Sequence, residues 1–284
     1  MSIKNVLGKV TGVGLKVIGV LVNIVFSNTG AGQDTVKLPK LGKQPVRHDP
    51  RTFEIVKYLG TSIPTPPKCE NWMAKISSWP MMGNDTVGDC TCAAAGHDEQ
   101  LWTTYTQVAP FIPTTAQVLA MYTGVTGYNP ADPSTDNGAV LLDVLNYWRN
   151  TGLAGHKIQA YAKLQLKNQK QLQDSIYLFG TAYIGLLLPI AVQEASSWEL
   201  PKGQKLTGNW EPGSWGGHCV PIVEYDATGV TVITWGAPLK MSYDFYNAYC
   251  DEAYAVLSPD WIGKTGLNPD NFNLAALQND LKAL

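Results

Sequence analysis

The chain has 284 residues, 45% of them hydrophobic and 15% charged, with a formal net charge of −2. That is enough apolar sequence for one large domain or two small ones, and the near-neutral balance excludes the basic footprint of a nucleic-acid binder. The five cysteines, Cys69, Cys90, Cys92, Cys219 and Cys250, are an odd number in a chain too long to need a disulfide framework, and none falls at zinc-ligand spacing. They read as mostly free thiols, with a pairing of Cys69 left open, and no metal or other cofactor is implied.

Residues 3–26 are almost continuously apolar, and Lys9, Lys16 and Asn23 recur every seven residues to form a narrow polar stripe on a helix. Lys16 sits badly at the mid-depth of a membrane span, and the interruptions suit a secretory signal poorly. An interfacial or oligomerising helix tolerates the stripe, as does a helix packed on the protein itself. The expectation is a contact with a membrane or an assembly partner, at an envelope or virion rather than free in the cytoplasm. Residues 27–50 lack periodicity and read as a linker; Arg51–Leu59 is a short helical candidate, and Ile63–Pro67 is extended by its prolines. The expected division is a hydrophobic helix over 1–30, linker and short helix over 31–62, a main domain over 63–260 and a tail helix over 261–284.

Gly83–Gly88 is a Gly-rich turn that delivers Cys90 to the start of a small, helix-compatible run. A thiol at a helix N-terminus meets free N–H groups and the positive end of the helix dipole, which favour the nucleophilic thiolate. Cys92, two residues on, is turned roughly 200° away, and His97, about 10 Å along the axis, is too far to serve Cys90 as a base. Further helices are expected over Thr114–Thr123, Gly138–Asn150 and Leu172–Phe179, and a buried strand over Thr181–Leu188. Pro189–Gly217 reads as a long loop carrying Trp198, Trp210 and Trp215. Beyond it, His218–Tyr225 and Val230–Thr234 alternate as strands about a turn at Asp226–Gly229, followed by a short helix over Ser242–Cys250 and a strand over Ala253–Leu257. Helices first and antiparallel strands second give an α+β architecture with a site between the halves.

Asn84-x-x-x-Gly88-Asp89-Cys90 resembles the papain-type run in which a Gln precedes the catalytic Cys by six residues. Gly217-His218-Cys219-Val220 with Val223–Asp226 resembles that family's histidine strand, Thr234-Trp235-Gly236 its Asn-Ser-Trp-Gly, and Asp136-Asn137-Gly138 the Asn-Gly-Gly run lining its substrate cleft. Each motif is weak alone, but their order over roughly Ile63–Leu257 resembles a divergent papain-like cysteine peptidase, of phage or bacterial type. The resemblance implies Cys90 as nucleophile, His218 as base, and Asn84 as oxyanion donor. It implies a substrate cleft formed by Asn137, Gly138, Gly217 and Trp235, and a peptide or peptidoglycan-like substrate. The chain departs from the family at Ile233, which stands where an Asn should orient the histidine; Thr234, next door, is the available substitute.

Two function classes follow. One is a cysteine hydrolase of peptide or amide bonds, cell-wall peptides among them. The other is a catalytically impaired papain-like module in a virion or envelope assembly, which the Ile233 departure and the hydrophobic amino terminus favour.

Overall fold

The computed structural model describes residues 38–58 and 65–261. The helix expected over 3–26 and the tail beyond Trp261 lie outside these residues, as do Ile63 and Pro64. Among the described residues no helix is long and apolar enough to cross a membrane.

The helical half comes first. Helix α1 (Cys90–Thr106) is buried almost from end to end, so it shows no amphipathic face and carries its polar residues into the interior. Helix α2 (Thr115–Thr126) starts at a capping box between Thr114 and Gln117 and stops at left-handed Gly127. Helix α3 (Leu141–Asn150) turns Leu141, Leu142, Leu145 and Trp148 inward, as the apolar spacing predicts. Helix α4 (Gln169–Phe179) is capped by the Asn168 side chain and ended by Gly180.

The second half is a mostly antiparallel sheet. Its strands are β1 (Glu70–Asn71), β2 (Ala160–Lys163), β3 (Ala182–Leu188), β4 (Ser197–Trp198), β5 (Gly216–Tyr225), β6 (Gly229–Thr234), β7 (Ala237–Ser242) and β8 (Cys250–Leu257). Their order is β2-β8-β3-β5-β6-β7-β4, with β1 added beside β5, and only the β4–β7 pair is parallel. Helix α5 (Tyr243–Tyr249) links β7 to β8. The α+β expectation holds. The hairpin turn at Asp226 is closed by its carboxylate, which accepts from the Thr228 and Gly229 amides.

Three local expectations change. Of the helix expected over Arg51–Leu59, the described residues up to Tyr58 form a single tight turn over Ile55–Lys57. Strands β2, at one end of the sheet order, and β7, with its largely exposed pattern, went unforeseen because neither alternates cleanly. The long loop before β5 is anchored: Trp198, fully buried, adds β4 to the sheet and stacks on Phe245.

All five cysteines are free thiols. Helix α1 is tied to the sheet by the Tyr183 hydroxyl, which donates to the Thr91 carbonyl at 2.8 Å, and the Trp102 indole donates to Phe179 O. These bonds set the start of α1 against the middle of β5, where the candidate residues lie.

Candidate active site

The turn before α1 is held from across the cleft. The Asp136 carboxylate accepts from the Gly88 amide and from the Tyr122 hydroxyl, and that same hydroxyl accepts from the Gly138 amide at 2.8 Å. One carboxylate thus fixes both the loop that presents Cys90 and the loop that carries Asn137 and Gly138.

On the sheet side, β5 carries His218 and β6 carries Thr234. His218 Nε2 lies 2.8 Å from Thr234 Oγ1, and Nδ1 has no hydrogen-bond partner. Side chains alternate along a strand, so Thr234 faces the histidine while Ile233 enters the core on the other face. The hairpin between β6 and β7 is the two-residue loop Trp235-Gly236, with φ of 45° and 73°, the geometry of a type I′ turn. That turn sets the Trp235 ring stacked on the His218 ring, at 4.5 Å between centroids and 17° between planes. Trp198 adds an edge-on contact to both rings.

Cys90 is buried, and the backbone amides of Cys219 and Gly42 lie against its sulfur. The Cys219 amide places the thiol beside the residue that follows His218. The Gly42 amide belongs to the segment read as a linker, and that segment fills the cleft. Lys40 O accepts from Trp235 Nε1 at 3.1 Å, and Gly42 O accepts from the Ala139 amide at 2.8 Å. The Lys43 amide donates to Gly217 O at 3.0 Å and the Gln44 amide to Ala139 O at 2.9 Å, while Gln44 Nε2 donates to Asn137 O. The residues expected to line a substrate cleft (Asn137, Gly138, Gly217 and Trp235) therefore surround an extended piece of the same chain, paired edge-on through its backbone. Glycine is required here: a Cβ on Gly42 would lie 1.8 Å from Gly88 O, on Gly138 2.1 Å from Gly42 O, and on Gly217 2.2 Å from Lys43 O.

The Lys43 side chain runs down a channel left open by Gly185, where a Cβ would lie 2.2 Å from the lysine chain. Its ammonium, with no exposed side-chain surface, meets Asp251 at 2.8 Å and Glu252 at 3.2 Å. Burial works against that charge, but Glu252 and Asp251 outweigh it and hold the ammonium above its ordinary range. Burial pushes the Glu252 carboxyl up, opposed by Lys43.

The electrostatics overturn one expectation. The helix N-terminus does not give a thiolate here: burial pushes the Cys90 thiol up to about 12, with the Asp89 charge adding to the shift, and burial pushes His218 down to about 3. Burial disfavours the charged form of each: the segment at Gly42 lies beside the sulfur, and Trp235 and Trp198 lie on the imidazole. Asp89 at the start of α1 is itself fully buried, its carboxyl pushed up to about 8 by burial. Asn84 is buried in its own loop, with one Nδ2 hydrogen donated to Val87 O at 3.3 Å. Cys92 is fully buried in the core, and His97 is a packing residue whose Nε2 meets Pro80 O at 2.9 Å.

Sequence reasoning missed Lys43, Asp251, Glu252 and Gly185. The available signal was Asp251-Glu252 in an otherwise apolar strand, since buried carboxylates require a partner.

No protein-family model matches the sequence, and no curated protein matches it. Solved structures do. Xylellain, a cysteine protease from Xylella fastidiosa, superposes with a TM-score of 0.59 at 15% identity, covering 80% of this chain and 99% of that one. The proform of the ragweed pollen cysteine protease Amb a 11 gives 0.51 at 11% identity over 74% of this chain and 71% of that one. Digestive procathepsin L 3 of Tenebrio molitor gives 0.51 at 10% identity over 70% and 72%. At such identities the likeness is one of fold, and it agrees with the sequence motifs: this chain has the papain-like cysteine protease fold.

Proposed function

We propose that the chain is a cysteine hydrolase of peptide bonds, held latent by its own residues 40–44. The observation that carries this reading is the His218 ring, clamped between the Thr234 hydroxyl and the Trp235 face with Nδ1 unpartnered, one residue before the amide that touches the Cys90 sulfur. A ring whose Nε2–H donates to Thr234 keeps Nδ1 bare, the form that takes a thiol proton and returns it to a leaving amine. Thr234 then does the orienting, and Trp235 shields that hydrogen bond from water.

Latency rests on what faces the sulfur. The Gly42 amide lies beside it and the Gly42 carbonyl accepts from the Ala139 amide, so the strip sits where a substrate backbone would lie. The Lys43 channel suggests the substrate class: a pocket ending in Asp251 and Glu252 suits a Lys or Arg side chain of an incoming peptide.

The experiment pairs Gly42→Ala, whose Cβ collides with Gly88 O and expels the segment, with Gly42→Ala/Cys90→Ala. The first should cleave fluorogenic peptides carrying Lys or Arg in preference to Leu, and the second should be inactive. An unlocked chain with accessible Cys90 but no turnover of any peptide would replace this reading by that of a papain-like scaffold retained for binding.

A further inference from the structure

Nine residues beyond Cys90 on the same helix, roughly 13 Å along its axis, lies a second group of polar side chains with no part in the cleft. Glu99 is fully buried; its Oε1 accepts from Trp148 Nε1 at 2.9 Å, and its Oε2 makes no hydrogen bond. His156 Nδ1, from the turn after α3, stands 3.7 Å from that Oε2 and 2.8 Å from Asp260 Oδ2, just past β8. One ligand atom from each residue lies within 4.8 Å of the others.

We propose that Glu99, His156 and Asp260 form a binding site for one divalent transition-metal ion of the zinc class, with water as fourth ligand. Donors held about 2.0–2.1 Å from a tetrahedral Zn²⁺ stand roughly 3.3 Å apart, and the two His156 distances bracket that value. Two carboxylates and a neutral imidazole match a +2 charge and the nitrogen–oxygen preference of such ions.

Outer contacts orient all three ligands, as metal sites require. Trp148 holds the other oxygen of Glu99, and Gln107 Nε2 donates to Asp260 Oδ1 at 3.2 Å. Phe111 stacks on the His156 ring at 4.1 Å with 14° between planes, fixing its direction. A His156–Asp260 contact alone leaves Glu99 Oε2 buried without a hydrogen-bond donor. A cation at the centre supplies the missing partner. His156 and Asp260 keep 23% and 18% of their side-chain surface exposed, which gives an ion its way in. The ion would staple α1 to the turn after α3 and to the chain beyond β8.

The test uses the full chain stripped with a chelator. Titration with Zn²⁺ should show one equivalent bound and a rise in Tm, and Co²⁺ should give visible d–d bands without the near-ultraviolet thiolate charge transfer that cysteine ligands produce. Glu99→Gln and Asp260→Asn should each weaken Zn²⁺ binding by more than the roughly 100-fold that loss of an outer hydrogen bond alone can cost. Cys90→Ser should leave it intact. Far-UV circular dichroism checks folding; should Glu99→Gln fail to fold, the more exposed Asp260→Asn decides. No stoichiometric binding, binding kept by Asp260→Asn, or binding lost in Cys90→Ser overturns the proposal.

Discussion

The start and the middle of helix α1 are buried by different means. Cys90, at its start, is closed off by Leu41–Lys43, a strip of chain laid over it through backbone pairing and one lysine side chain. Glu99, further along, is closed off by Trp148 and the body of the core. In both places burial raises the pKa of an acidic group, but the first cover is a strip of chain paired through its backbone and the second is the packed core. The difference teaches that a perturbed pKa at a candidate site reports its cover as well as the residues that built it: the thiol at about 12 lies behind a strip of chain, the carboxyl behind the core residues around Trp148.

The sharpest way to break this comparison is to lift the cover. Gly42→Ala places a Cβ 1.8 Å from Gly88 O, and the strip cannot stay. With water admitted, the Cys90 thiol should fall from about 12 toward the ordinary value near 8.5. At pH 7 that raises the thiolate fraction, and so the alkylation rate, by about a thousandfold. Mass spectrometry after iodoacetamide treatment reads it directly. Equal labelling of wild type and variant would show that the strip is not what shields the sulfur.

Lys43→Ala weakens the same cover from its side chain. It leaves Asp251 and Glu252 facing each other at the end of the channel without their cation. Breaking a buried pair this way costs about 3–5 kcal/mol, charged first to docking of the strip. Hydrogen exchange at the Lys43 and Gln44 amides should speed by about a hundredfold or more, while the Tyr183 and Ile184 amides of β3 keep their protection. Uniform loss of protection would mean that strip and core unfold as one.

Thr234→Val tests the site beneath the cover and belongs in the Gly42→Ala background. Removing the hydroxyl leaves His218 Nε2 without its partner, so the ring loses its orientation and its bare Nδ1. Turnover should fall by about a hundredfold, the low end of a positioned acid–base contribution, with KM nearly unchanged. Ile233→Asn should not help. Ile233 is a core residue on the opposite face of β6, so an Asn there buries an amide without partners and lowers Tm.

What the sequence disclosed follows from what leaves a local pattern. Helices α2 and α3 were legible in a 3.6-residue spacing, and β5 and β6 in alternation about an Asp-x-x-Gly turn. His218, Trp235, Gly138 and Gly217 were legible because motif order brought them together before any geometry did. The occupant of the cleft was illegible. A segment that pairs by its backbone on both sides and packs glycine against carbonyls carries no periodicity, so Leu38–Gln44 reads like any linker. The raised thiol was hidden for the same reason: the helix dipole acts within one turn and can be read locally, whereas the desolvation that defeats it comes from residues almost fifty positions upstream. Thr234, the hydrogen-bond partner of His218, was named only as an alternative to Ile233, because strand phase rather than residue type decides which of two neighbours faces the histidine.

The smallest effect separates the two kinds of burial within the stability curve. The Asp89 carboxyl is pushed from 3.8 to about 8, first by burial. The folded chain therefore keeps a proton that the unfolded chain releases above about pH 4. Since the folded state binds more protons over that interval, stability falls as pH rises from about 4 to about 8, and the loss is complete above it. Asp98 and Glu99 are also pushed well above their usual range by burial and act with the same sign. The measured slope is thus a sum of a part beside the strip and a part in the core. Asp89→Asn, a neutral mimic of the protonated acid, should remove only the first part. The fall in Tm between pH 5 and pH 8 should shrink and not vanish. In the Gly42→Ala background the same substitution should matter less, because water admitted beside Cys90 also reaches its neighbour and brings the Asp89 carboxyl back toward its ordinary range. If Asp89→Asn leaves the pH dependence of Tm unchanged in both backgrounds, the carboxyl is already ionised behind the strip, and the start of α1 is as open to water as the sequence alone suggested.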